Sequence, residues 1–368
     1  MTPEPRVITR RILVEIGTEE IPANYLFYAD ANGQAYLRER LLAAFDEINP
    51  HGAYRAGAVE IFLTPRRMIF HVPALEFSPK EIHETVVGPP ADKAFAEDGS
   101  PTPMLAGFAK AKGIDLKKIV CKEVGGKKVA AFEKRVRPEP IEKKIGKWME
   151  LFLGKLSFPK NMRWDASGAV FPRPIRTILC LADSRCVKLS LAGIASSRRV
   201  RVFKDGRRRL LSARNPEHYF QLLTESGVVW DPTRRREMIR AGVEKATLKA
   251  GGNLADQEGL LEEVVFLSES PVVVSGSFDA AFADLPPAVL KASLAKAQRL
   301  FSVFDSQGIQ QPHFVAVLDG ASGDNPRAVQ TIAAILAAKL QDSRFFFTED
   351  LKIYSDAAGD DEGAGRLE

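Results

Sequence analysis

Arg11-Ile12-Leu13-Val14-Glu15-Ile16-Gly17, running on into Thr18-Glu19-Glu20-Ile21-Pro22, is the stretch on which the reading of the fold turns. It is short, rich in β-branched residues and ended by a glycine, so it predicts a strand. Pro22 then opens a helical stretch through about Phe45, because proline at a helix start gives up an amide that has no helical partner there. A strand with a covering helix is expected at the head of the chain. Outward from it, Val59–Leu63 and Met68–Val72 flank Thr64-Pro65-Arg66-Arg67, which predicts an antiparallel pair joined by a turn.

Further along, Gly88 to Pro103 carries two proline pairs or near pairs and a Gly-Ser, and predicts a long loop before a short helix over Met104–Lys112. Gly125-Gly126 reads as a hairpin turn. Apolar residues at Ile141, Ile145, Trp148, Leu151 and Phe152 have helical spacing, so a helix is expected over Glu139–Leu156. Val170-Phe171 and Ile175–Asp183 read as strands. Asp231-Pro232 is an N-cap with proline at the first helical position, and Gly251-Gly252 closes that helix. Helices over Glu258–Ser268, Pro286–Phe301 and Arg327–Gln341 alternate with strands over Val272–Ser275 and Phe314–Leu318. The fold class expected is mixed α+β, two to three domains with antiparallel sheets covered by helices. The expected division is an N-terminal body over 1–160, a middle domain with a basic hairpin over 161–270, an α/β domain over 271–355 and a disordered acidic tail over 356–368.

The chain has 368 residues, 45% of them hydrophobic and 27% charged, which suits more than one buried core. No segment approaches the roughly 20 apolar residues that span a bilayer. The first residues lack the apolar centre of a secretory signal, so no membrane association and a cytoplasmic location are expected. Cys121, Cys180 and Cys186 form no CxxC pair, and His51, His71, His83, His218 and His313 lack metal-ligand spacing, so neither disulfides nor a metal is expected. There is no GxxxxGK[ST] phosphate loop and no GxSxG elbow; no catalytic residue of its own is expected.

Charge distribution says more than the net +5. Arg198, Arg199, Arg201, Lys204, Arg207, Arg208 and Arg209 crowd a probable hairpin with Gly206 at its tip, a pattern able to track RNA phosphates. A solvated basic face is the competing reading. Phe203 within the run either stacks on a base or joins the core. Arg234, Arg235, Arg236 and Arg240 are read as the solvated face of a helix. Glu19 and Glu20 at the strand-to-helix junction stand open between helix capping and a ligand or partner contact. Arg66 and Arg67 stand open between gripping an anion and an ion pair.

Taken in order, these segments resemble one family. Leu13-Val14-Glu15-Ile16-Gly17-Thr18-Glu19-Glu20-Ile21-Pro22-Ala23 is similar to the LxEIGTEELPA-like opening of the glycyl-tRNA synthetase beta subunit. Thr64–Arg67 resembles its TPRR turn, and Gly88-Pro89-Pro90 with Gly107-Phe108-Ala109 its GP…GFA spacing. Phe158-Pro159-Lys160-Asn161-Met162-Arg163-Trp164 resembles FPKxMRW, and Phe171–Ile175 the FxRPI stretch. Leu260–Val264 with Ser270-Pro271, and Leu340–Phe346, keep the order to about residue 350.

The resemblance implies a bacterial α2β2 enzyme whose alpha chain uses ATP and magnesium to make glycyl-adenylate, while the beta chain binds tRNA and supports charging. No cofactor is then expected on this chain, and its expected partners are an alpha subunit and tRNA. Family members continue into an HD-type and an anticodon-binding domain, so the likeness is to their N-terminal half and no anticodon recognition is expected here. Three polar signatures differ. Arg198–Phe203 stands for a GHRF-like element, and Leu294–Phe301 for a MRxHQxYF-like helix with Ala297 in place of histidine. Thr331–Ala334 stands for GNER. These departures leave an alternative of a non-enzymatic scaffold or stand-alone RNA-binding protein.

Overall fold

The computed structural model describes residues 7–164, 166–204, 207–254, 257–320 and 325–359. Its elements are helices and antiparallel sheets of the expected α+β kind. A six-stranded sheet combines β1 (Ile8–Thr18), β2 (Tyr54–Ala56), β3 (Glu60–Thr64) and β4 (Arg67–Phe77) with β8 (Ile175–Ala182) and β9 (Arg185–Cys186) from the middle of the chain. β1 lies between β4 and β8, antiparallel to both. Ile12, Val14 and Ile16 face one core with α1 (Ala23–Ile48) and α4 (Ile141–Gly154), while Leu13 faces another with Ile69, Leu179 and α5 (Pro216–Glu225). A central strand buried on both faces needs apolar residues at successive positions, which is why the run does not alternate.

The expected boundary at 160/161 falls between α4 and β8, and both pack on this sheet. A separate three-stranded sheet of β5 (Ile82–Pro90), β6 (Val120–Val124) and β7 (Lys127–Val136) carries its own small core with α2 (Ala91–Ala94) and α3 (Pro103–Lys112). Gly125 and Gly126 take φ of 60° and 75° at its hairpin, the left-handed values a two-residue turn needs. Short β10 (Ser190–Leu191) and β11 (Ile194–Ala195) lead into the ribbon of β12 (Arg199–Lys204) and β13 (Arg207–Ser212).

The last sheet has the order β14 (Asn253–Leu254), β16 (Phe301–Phe304), β17 (Gln310–Asp319), β15 (Pro271–Ser277). α6 (Pro232–Lys249) and α7 (Glu258–Val265) join its one face to the main core. α8 (Pro287–Lys291) and α9 (Pro326–Gly359) cover the other. Asp231 caps α6 through Thr233 N at 2.9 Å, as its sequence predicts.

Several expectations change. The predicted loop over 88–103 holds the end of β5 and the α2 turn, with prolines at strand end and cap where no amide is needed. Val170-Phe171 is not a strand; Phe171 makes an isolated bridge to Met162. The helix expected through Phe301 stops earlier, in a π-helical turn over Ala292–Ala297, and Leu300-Phe301 are buried at the start of β16. Buried apolar runs look alike in strand and helix, so periodicity could not separate them. α9 takes in residues 356–359 of the expected tail, where Ala357 and Ala358 favour helix; 360–368 lie outside the described residues. Arg235 is not solvated: it is fully buried and donates to the carbonyls of Val265, Val229 and Leu63 at 2.6, 2.6 and 2.8 Å.

Candidate functional site

At the end of the six-stranded sheet the core facing α5 turns polar. Leu13 is followed on that face by Glu15 and Gly17, and Gly17 pairs with Arg67 on one side and Thr177 on the other. Arg67 is the hub. Its Nη1 lies 3.1 Å from Glu15 Oε2, and its Nε and Nη2 donate to the two oxygens of Glu269 at 3.0 Å each. Nη2 also donates to the Arg201 carbonyl at 2.9 Å. Thr64 donates to Glu269 Oε2 at 2.9 Å, and the Tyr219 hydroxyl donates to Glu15 Oε2. All of these side chains but that of Arg201 are buried.

Burial alone would raise the Glu269 carboxyl, but the charge and hydrogen bonds of Arg67, with Arg66 and Thr64, hold it at about 2. Burial would likewise lower the Arg67 guanidinium, and Glu269 and Glu15 instead keep it well above its usual value. The Tyr219 phenol is pushed well up, first by burial and then by the Glu15 charge. The two-pronged contact of Arg67 with Glu269 keeps that pair charged and fixes the guanidinium in place.

Around this hub opens a cleft of ≈ 310 Å³ lined by Glu15, Gly17, Glu19, Glu20, Arg66, Arg67, Thr177, Arg201, Phe203, Arg208, Glu269 and Asp319 among others. The structure therefore gathers sequence candidates from three separate segments. Arg66 pairs with Glu20 at 3.1 Å and Asp319 at 2.6 Å, and Asp319 in turn accepts the amides of Glu269 and Ser270 at 2.9 Å. Glu19 caps no helix; α1 starts at Ala23 after Pro22 with no side-chain cap, and Glu19 instead takes Arg176 at 2.8 Å and Arg201 at 3.4 Å. Burial raises and those two arginines lower its carboxyl, for a net depression.

The basic run divides in two. Arg198 donates to the carbonyls of Ser184 and Arg214, and Arg201 to that of Thr18, so both tie the ribbon to the body. Arg199, Arg207, Arg208 and Arg209 are exposed along β12 and β13. Lys204 ends β12, and the tip residue Gly206 lies outside the described residues. Phe203 is 44% exposed and stands across from Arg208, so it is not a core residue.

Sequence reasoning missed Glu15, Thr177, Tyr219, Glu269 and Asp319. A signal existed for Glu15, since a carboxylate inside an apolar strand must find buried partners. Nothing local marked the others. Among the described residues no group of three or more His, Cys, Asp or Glu is placed to hold a metal, and no helix is long and apolar enough to cross a membrane.

Residues 12–359 match the family described as "Glycyl-tRNA synthetase beta subunit". The glycine–tRNA ligase beta subunit of Geobacter metallireducens is 33% identical over 94% of this chain and 49% of its own length. That of Aquifex aeolicus is 33% identical over 94% and 50%, and that of Desulforudis audaxviator 34% over 93% and 48%. The chain belongs to the glycyl-tRNA synthetase beta subunit family. It spans about half the length of the curated relatives it matches.

Proposed function

We propose that this chain holds tRNA for a separate catalytic alpha chain during glycyl-tRNA formation, in an α2β2 assembly. The observation that supports the reading most is the exposed guanidinium row of the β12 and β13 ribbon on a body of this family. Its cations stand on both strands of an antiparallel pair that Arg198, Arg201, Val200 and Val202 pin to the sheet. A ribbon so anchored holds its backbone in a fixed register, which lowers the ordering cost at binding. In this reading ATP and magnesium are taken by the alpha chain, and the residues here bind and position.

Co-expression with an alpha chain tests the partnership. Co-elution and a gain in glycylation are expected, and the absence of both overturns the reading. For the ribbon, Arg207, Arg208 and Arg209 are replaced together by alanine and tRNA affinity is followed as salt rises. The slope of log affinity on log salt is expected to fall by about 2 to 3, given ~0.7–0.9 per phosphate contact. An unchanged slope removes the ribbon from tRNA contact.

A further inference from the structure

The floor of the cleft holds a carboxylate oxygen and a hydroxyl with no hydrogen-bond partner. Glu15 Oε1 and Thr177 Oγ1 are buried and without a partner, although Oε2 of the same Glu15 takes both Arg67 and Tyr219. Glu15 is fully buried, and both residues line the cleft. Between them stands Gly17: a Cβ there would lie 2.2 Å from Thr177 Oγ1 and 3.4 Å from Glu15 Oε1. The bare Cα of Gly17 is what lets the Thr177 hydroxyl and the Glu15 carboxylate sit side by side there. Buried polar atoms normally find a partner, so an unpartnered pair on residues that line the cleft points to a ligand group that supplies one. Higher in the cleft stand the exposed ring of Phe203 and the guanidinium of its cross-strand neighbour Arg208. The cleft thus offers a free carboxylate oxygen and a hydroxyl at its buried end and a cation with an aromatic ring at its exposed end.

We infer that the cleft binds one unpaired nucleotide whose base carries an exocyclic amino group. The amino N–H groups donate to Glu15 Oε1 and Thr177 Oγ1, the base face lies on Phe203, and the phosphate is left at the mouth beside Arg208. Stacking on an aromatic ring accepts any base, so discrimination comes from the floor. Uracil puts a carbonyl oxygen where cytosine has its amino group, against a carboxylate that cannot donate. The inference rests on the reading of the ribbon as an RNA-contacting edge.

The test titrates the purified chain with CMP and UMP, and with hexacytidylate and hexauridylate RNA, while tRNA binding is measured in parallel. CMP is expected to bind about tenfold more tightly than UMP, the scale of one lost hydrogen bond to a charged group. Glu15→Gln, whose amide can donate to a carbonyl, is expected to erase most of that preference while unfolding stays cooperative, and Thr177→Val, which keeps the shape of the side chain, is expected to weaken CMP with the melting temperature unchanged. Phe203→Ala is expected to weaken CMP and UMP alike. Selectivity in the mononucleotides alone assigns the site to a free nucleotide, and selectivity in the hexamers as well assigns it to an RNA strand; either supports the pocket. Equal affinities for CMP and UMP, no binding of either, or a preference untouched by Glu15→Gln overturns it. If tRNA still binds in that case, the ribbon reading stands without the pocket. A CMP preference without tRNA binding removes the ribbon reading and keeps the pocket.

Discussion

Glu15, in the middle of an apolar strand, and Glu269, just before β15, converge on the one guanidinium of Arg67. Removing one carboxylate leaves Arg67 buried and half-paired, and breaking a buried pair in this way costs about 3–5 kcal/mol. Glu269→Gln is therefore expected to lower unfolding free energy by about that amount, read from the denaturation midpoint and slope. The same residue sets an acid limit. Its carboxyl falls from 4.5 to about 2 on folding, so the folded chain binds fewer protons than the unfolded one across that interval. Its contribution is whole above pH 4.5 and drains as pH falls towards 2. Denaturation midpoints measured down this range are expected to decline, and to decline less steeply in Glu269→Gln. The sequence showed Arg66 and Arg67 as a pair of cations in a turn but left anion grip and ion pair open. The choice depended on a glutamate 202 positions away.

Elements were easier to read, because a strand or helix is set by neighbours within a few residues. The β3 to β4 turn, the Gly125-Gly126 hairpin and the Asp231-Pro232 cap all stand where their residues put them. The spacing in α4 likewise marks its buried face, on which Trp148 packs 5.0 Å from Phe45 and donates Nε1–H to the Leu41 carbonyl at 2.9 Å. This contact holds α4 on α1. Trp148→Ala is expected to cost about 3–5 kcal/mol, from lost area and the cavity left behind, and thermal unfolding measures it. Elements were misread where burial on both sides removes the pattern. Phe301 continued a helical spacing yet opens a strand, and Arg235 looked like a surface cation until three carbonyls from separate elements closed around it.

At the scale of the molecule, chain order and spatial order part company. β8 is needed to complete the sheet that β1 begins, whereas the three-stranded sheet of β5, β6 and β7 leaves and rejoins the chain at one place. Ile82 and Val136 are paired across adjacent strands, so the ends of that excursion are neighbours, and its core is its own. Excising residues 82–136 and joining the ends by a short Gly-Ser link is expected to leave a cooperatively folded body with a similar melting temperature. Loss of cooperative unfolding would show that the body depends on the excursion.

Strands, helices, turns and the family likeness could be read along the chain, because propensity, periodicity and motif order are local properties. The cleft could not. Its floor joins β1, β4 and β8 with residues of the β12 ribbon and the start of β15, and which charge meets which across some 200 positions is settled only when sheets pair and cores close. Only then do Glu15 Oε1 and Thr177 Oγ1 come to share the space that Gly17 leaves open.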